Sequence, residues 1–262
     1  MSRPILAFLT DFGLGWTYVA QMKAVALEAL ETAELVDVTH AIPAQSVRTA
    51  ELALRSVAFR MPVGTVFVVV VDPGVGTQRR PIAIRAAGRT FVGPDNGVLA
   101  IAARQPGARA VVLDRQELHR TPVSPTFHGR DIFTPVASEL AAGVALDQVG
   151  SSIAVTELVD TTLPHPVVRA GQVRGEVVAV DDFGNLLTNV ATSLLGEAWQ
   201  AQLAEWPAQR VSTYHEGPSN CLLALAGSDG HVEYAVRDGS AKDLTGADVG
   251  TAVVCWPPAA QT

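Results

Sequence analysis

The sequence predicts an α/β fold: an N-terminal domain with a mostly parallel central sheet flanked by helices, then a smaller C-terminal β-barrel-like domain. Three observations carry this. Residues 66–71 are an unbroken run of Val and Phe, which reads as a strand buried on both faces, like the central strands of parallel sheets. Up to about residue 160, strand-like and helix-like periodicities alternate in a βαβ pattern. Beyond Pro164-His165-Pro166 the chain turns into short strand-like runs separated by Gly, Asp and Asn. That change of texture sets the domains at 1–166 and 167–262, with the linker around 164–170.

The elements follow in order. Residues 5–9 are a short apolar strand closed by the turn Thr10-Asp11-Phe12-Gly13. Val19, Met22, Val25, Ala26 and Ala29 recur at three- and four-residue spacing and predict a helix over 17–30. A second strand at 35–38 ends near His40. Ser46 can cap a helix running to about Arg60, which Pro62-Val63-Gly64 closes. The 66–71 strand stops at Asp72, where Pro73, Gly74 and Gly76 force a turn. Short strands at 82–85 and 90–92, a turn at 93–97, a short helix near 98–104 and a strand at 110–113 follow. Thr134-Pro135 reads as an N-cap with proline at the first helical position, opening a helix that ends at Gly143. In the second domain, strands are predicted at 173–180, 186–190, 221–225, 231–236 and 251–255, with one amphipathic helix near 193–206.

Composition narrows the function. Hydrophobic residues make up 48% of the 262 and charged ones 17%, enough apolar material for a core and too little charge for disorder. A net charge of −7 without a basic run argues against nucleic acid. No stretch approaches the roughly 20 apolar residues that span a bilayer, and the apolar run at 5–9 is too short for a signal peptide. Cys221 and Cys255 lack the spacing of a metal site and read as two buried free thiols, which places the protein in the cytoplasm.

Ligands of open α/β sheets sit beyond the carboxyl ends of the strands, where Asp11 and Asp72 both fall. Each could instead serve its own turn, as Asp often does. His128, in the loop Phe127-His128-Gly129-Arg130-Asp131, is a candidate base, although a histidine held by a loop carbonyl would look the same. Asp11, His40, Asp72, His128 and Asp131 have the right chemistry for a metal, but none shows close ligand spacing, so no metal and no cofactor is expected. There is no Gly-x-Ser-x-Gly elbow, and Gly74-Val75-Gly76 lacks the third glycine and the lysine of phosphate-binding loops.

Five motifs stand in one order along nearly the whole chain: Thr10-Asp11-Phe12-Gly13; Asp72-Pro-Gly-Val-Gly-Thr-x-Arg79; Gly93-Pro-Asp-Asn-Gly97; Phe127-His-Gly-Arg-Asp131; and Asp181-x-Phe-Gly-Asn-Leu-x-Thr-Asn189. Together they resemble the S-adenosyl-L-methionine hydroxide adenosyltransferases, relatives of the fluorinating and chlorinating enzymes. The resemblance implies metal-free cleavage of S-adenosyl-L-methionine by water to adenosine and methionine, in a homotrimer with sites at subunit interfaces. It puts the family's Asp/Arg/His triad on Asp72, Arg79 and His128. It implies that Asp11 holds the ribose hydroxyls and that Asp181 and Ser228 bind the amino and carboxylate end of methionine. It sets Asn185, Glu233 and Val236 around the amino-acid and adenine portions, Val236 through its backbone.

Halogenating relatives carry tyrosine where this chain has Asp72, and the fluorinating ones add a loop insertion after the turn. Both departures favour water as the nucleophile here. Gln45 stands where the family more often has an aromatic residue. Phe183 reads equally as an adenine-stacking or a core residue, and Arg80 as a solvated charge. Chlorinase-like chemistry, or a nucleoside-binding regulatory protein without turnover, are the alternatives.

Overall fold

The computed structural model describes residues 3–256, so the outermost residues of the two expected domains, 1–2 and 257–262, lie outside the described residues. The chain forms two compact units, the first ending at Thr162 and the second beginning at Leu163.

The first unit runs β1 (Ile5–Thr10), α1 (Tyr18–Ala29), β2 (Glu34–Thr39), α2 (Val47–Val57), β3 (Val66–Val70), β4 (Pro81–Ala86), β5 (Arg89–Pro94), α3 (Ala100–Ala103), β6 (Arg109–Val112), α4 (Thr134–Ala141) and β7 (Ser151–Ile153). The strands form one sheet in the order β2-β1-β3-β5-β4-β6-β7. Pairings from β2 through β5 are parallel, as the βαβ pattern predicts. From β5 to β7 they are antiparallel, a refinement of the mostly parallel expectation. A two-residue hairpin is the cause: Ala87 and Gly88 both take positive φ, 47° and 75°, a turn that returns the chain antiparallel.

Alternation along β3 sorts its side chains. Val66, Val68 and Val70 face a core shared with Met22 and Ala26 of α1 and Val136 and Leu140 of α4. Phe67 and Val69 face the opposite core with Ala50 and Leu54 of α2 and Ala102 of α3. Fully burying such side chains stabilises the fold by roughly 1.5–3 kcal/mol each, so the run behaves as the central strand it resembles. Ser46 caps α2 by accepting from the Thr49 amide.

Two expectations are corrected in this unit. Thr134 does not cap a new helix. A π-helical turn, Gly129–Phe133, runs directly into α4, and the Thr134 hydroxyl donates back to the Gly129 carbonyl at 2.7 Å. The helix therefore begins immediately after His128. Nor is Arg80 a solvated charge. Its Nε donates to Asp95 Oδ2 at 2.8 Å and its Nη2 to the Glu157 carbonyl at 2.6 Å, while Asp95 is 6% exposed.

The second unit contains β8 (Val167–Arg169), β9 (Gln172–Val180), β10 (Leu186–Ala191), β11 (Gln200–Leu203), β12 (Trp206–Arg210), β13 (Leu222–Ala226), β14 (His231–Val236), α5 (Ala241–Thr245) and β15 (Ala252–Trp256). The order β10-β14-β13-β12-β11-β15-β9 closes through a β10–β9 pairing into a barrel, with β8 added beside β9. Its interior holds Val173, Val177, Trp199, Ala201, Leu203, Tyr234 and Val253. The fully buried Tyr234 donates its hydroxyl to the Gln202 carbonyl at 3.0 Å.

The amphipathic helix expected near 193–206 is absent. A short 3₁₀ turn at Thr192–Leu194 is followed by Gly196 at φ 72°, then by β11 and β12. Trp199, Ala201 and Leu203 alternate inward at period two, and that burial overrides the helical pattern. Of the two thiols, Cys255 is buried and pushed up to about 11 by desolvation, but Cys221 is exposed, against expectation. No helix among the described residues is long and apolar enough to cross a membrane.

Candidate active site

Asp72 lies just beyond the carboxyl end of β3. The loop after it is wound tightly: Val75 N donates to Asp72 O, and both Thr77 N and Thr77 Oγ1 donate to Gly74 O. That winding folds Arg79 back onto Asp72. Nε lies 2.9 Å from each carboxylate oxygen, and Nη2 also donates to Oδ2. The same Nη2 donates to His128 Nδ1 at 2.8 Å. Asp72 and Arg79 side chains are only 5% and 9% exposed, and His128 is half-buried. The Phe133 ring packs 5.1 Å from the guanidinium carbon.

Two glycines permit the approach of the loops. Gly76, at φ 77°, lies so close to the Pro125 carbonyl that an added Cβ would sit 2.5 Å from it. The Asp72 loop can therefore lie directly on the His128 loop. At Gly129 a Cβ would meet Met22 Sδ at 3.2 Å and Val70 at 3.3 Å, so glycine lets the π turn settle on β3.

Electrostatics fixes the protonation of His128. Burial, and then the Arg79 guanidinium, hold its pKa below the usual histidine value. Because Arg79 can only donate, Nδ1 must carry its lone pair and the neutral ring bears its proton on Nε2. We expect the acid limb of kcat/KM to reflect this. Activity should be constant above pH 6.5 and fall as pH drops through a pKa below that value, because a protonated Nδ1 can no longer accept from Arg79. A pH–rate profile with its limb above 6.5 would contradict the assignment.

Asp11 follows β1. Its Oδ2 accepts from the Gln45 backbone amide at 2.7 Å, and Gln45 takes a left-handed φ of 65°, costly for a residue other than glycine. Next to Asp11, Phe12 packs with Tyr18 and Phe127 at centroid distances of 5.6 and 5.7 Å. Since Phe127 precedes His128, this cluster ties the Asp11 turn to the His128 loop within the first unit.

In the second unit, Asp181 organises the β9–β10 turn. Oδ1 accepts from Phe183 N and Asn185 N, and Oδ2 accepts from Asn185 Nδ2. Glu233, on the outer face of β14, accepts from the Tyr214 hydroxyl at 2.7 Å. Burial raises its pKa first, and Asp181 and Asp229 raise it further, which sets three carboxyl groups close enough to repel. Such a cluster suits a cationic amino group. Ser228 is exposed in the β13–β14 turn. Val236 faces the barrel core, so only its backbone is available to a ligand. Phe183 is 78% exposed, which rules out the core reading.

The residues weighed as metal ligands are engaged elsewhere. Asp72 holds Arg79, His40 bridges Thr10 and Asp37, and the buried Asp131 binds Arg130 and the Ser124 amide. Sequence reasoning missed Tyr214, Phe133 and the partners of His40. The position of His40 at a strand's carboxyl end was the one available signal.

Residues 6–150 match the SAM hydroxide adenosyltransferase N-terminal domain, and residues 175–254 match the C-terminal domain of the same family. The chain is 40% identical over 252 residues to an (R)-S-adenosyl-L-methionine hydrolase of Salinispora tropica, covering 94% of this chain and 95% of that one. A fluorinase of Actinopolyspora mzabensis is 28% identical over 215 residues, 72% of each chain. The crystal structure of an uncharacterized conserved protein from Thermotoga maritima superposes with a TM-score of 0.87 at 33% identity, covering 96% of this chain and 99% of that one.

Proposed function

This chain belongs to the SAM hydroxide adenosyltransferase family, and on that premise we propose a reaction and a place for it: the protein cleaves S-adenosyl-L-methionine with water to adenosine and L-methionine, and Asp72, Arg79 and His128 carry the step. The observation that supports this is the single guanidinium of Arg79 holding the buried Asp72 carboxylate and the half-buried His128 imidazole together.

Water oxygen attacks C5′, the C5′–S bond breaks with its electrons going to sulfur, and methionine leaves as a neutral thioether. No general acid is needed for that leaving group. The demanding part is the nucleophile. The Asp72 carboxylate keeps lone pairs that orient the water and take its proton, the His128 Nε2–H can donate to the water oxygen, and Arg79 stabilises hydroxide character. Hydroxide and sulfonium neutralise one another as they react, so excluding bulk water favours the transition state. An aspartate at position 72 is itself an acceptor, which favours water over halide.

Asp11 holds the ribose hydroxyls. Asp181, Asn185, Ser228, Glu233 and the Val236 backbone receive the methionine and adenine portions. With ligand groups on both units, each site is shared between subunits of a homotrimer. Light scattering that finds an active monomer would overturn this assembly. The free thiols fit a reducing cytoplasm, and the reaction as written draws on no cofactor.

The decisive experiment is product analysis in heavy-oxygen water with chloride present. Adenosine labelled at its 5′ oxygen is expected. A 5′-chloro product would establish the halogenase alternative, and unchanged substrate the regulatory one.

A further inference from the structure

Asp11 stands in a turn whose two flanks are tied to one residue outside it. On one flank, the Thr10 hydroxyl lies 2.8 Å from His40 Nδ1, and the same oxygen accepts from Phe12 N at 3.2 Å. On the other, Gly13 N donates to the His40 carbonyl at 2.8 Å. Behind His40, Nε2 lies 2.9 Å from Asp37 Oδ1, and Lys23 Nζ donates to Asp37 Oδ2 at 2.7 Å. Thr10 is 0% exposed and His40 5%.

We propose that His40 is a positioning residue for Asp11, bracketing the Thr10–Gly13 turn through the Thr10 hydroxyl and its own carbonyl. The proposal rests on the reading of Asp11 as the ribose-binding residue. Directionality follows from the donors. Asp37 only accepts, so His40 Nε2 donates to it, leaving Nδ1 to accept from the Thr10 hydroxyl. The Thr10 oxygen is then free to accept from Phe12 N. Every hydrogen bond in the chain from Lys23 to Phe12 is satisfied in this one tautomer, which makes the arrangement stiff.

Thr10-His40-Asp37 has the connectivity of a nucleophile triad. The fully buried hydroxyl, already engaged with Phe12 N, speaks against attack on a substrate and for positioning. His40 also opens the segment that ends at Gln45, whose amide holds Asp11 Oδ2. The carboxylate is thus set by two loops that His40 joins. A displacement of the order of 1 Å in such a group can cost about a hundredfold, so small changes at His40 should be visible in kinetics.

The test is steady-state kinetics on S-adenosyl-L-methionine, with amide hydrogen exchange at Phe12 and Gly13, for Thr10→Val, His40→Asn and His40→Gln in the full chain. Thr10→Val keeps the volume and loses the hydroxyl. Asparagine can keep the Nδ1-like acceptor towards Thr10, whereas glutamine keeps only the Nε2-like donor towards Asp37. Thr10→Val and His40→Gln should raise KM about five- to tenfold with kcat within about twofold. Both should speed exchange at Phe12. His40→Asn should lie near the wild type in both respects. In an Asp11→Ala background, Thr10→Val should add nothing further to KM.

A fall in kcat at unchanged KM, or equal behaviour of the asparagine and glutamine variants, would overturn the proposal. If Asp11→Ala itself leaves KM unchanged, the ribose reading fails. The bracket is then judged by exchange alone: unaltered Phe12 exchange in Thr10→Val overturns it.

Discussion

Arg79→Ala should lower the single-turnover rate of S-adenosyl-L-methionine cleavage by about 10²–10³, the range seen on losing one oxyanion donor. Binding should weaken far less, because the loss falls on charge that develops in the transition state. The structure adds a second consequence. Asp72 is 5% exposed and takes all its hydrogen bonds from other side chains through Arg79. Alanine leaves that carboxylate buried and unpaired, which costs about 3–5 kcal/mol where a buried pair is broken from one side.

Arg79→Lys separates the two effects. It keeps a positive charge beside Asp72 and should recover much of the thermal stability. An ammonium lacks the planar fork that reaches Asp72 and His128 at once, so the rate should stay well below the wild type. Stopped-flow rates and melting temperatures on the same samples check this. A lysine variant with wild-type rate would show that charge alone suffices.

Arg80→Ala should be the opposite kind of variant, costing stability before rate. Arg80 is the charged partner of Asp95, whose side chain is 2% exposed and whose other acceptor oxygen takes only the Val159 amide at 2.8 Å. Arg80 also ties the Glu157 carbonyl at 2.6 Å, so it clamps the chain before Val159 to the end of β5. Losing hydrogen bonds to a buried charged group costs about 2–3 kcal/mol, partly offset because Arg80 is itself 36% exposed and water can enter. In a chain of this size that lowers Tm by about 5–10 °C. Adding Asp95→Asn, which keeps an acceptor oxygen for the Val159 amide, to Arg80→Ala should cost little more, since the ion pair is already broken. Calorimetry showing an unchanged Tm would return Arg80 to the status of a surface charge.

The contrast between these adjacent arginines marks how far the sequence reaches. The tight loop Asp72-Pro-Gly-Val-Gly-Thr-x-Arg79 is local, and its glycines and proline permit a return of Arg79 to Asp72 that spacing alone suggests. Nothing local announces Asp95 as the partner of Arg80, fifteen positions on and across the β4–β5 hairpin. His40 shows the same limit. Its place at the end of β2 was legible, but its bracket on Thr10 and Gly13 exists only because β1 and β2 lie side by side in parallel.

The sequence by itself determined the strand alternation of the first unit, the buried run at Val66–Val70, the carboxylates at the strand ends and the family motifs. These depend on side-chain period and on turn chemistry, which act over a few neighbouring residues. Only the tertiary structure decided that, within the expected helix at 193–206, residues 200–203 and the chain from Trp206 would pair as strands. Its apolar residues satisfy a helical spacing nearly as well as an alternating one, and closure of the barrel rewards the second. It also decided that Cys221 is exposed and that the helix after His128 starts in a π turn, because Gly129 can settle against Met22 and Val70. Periodicity reports which face of an element is apolar. Which distant group meets that face is settled by packing, where burial and hydrogen-bond satisfaction are counted over the whole fold.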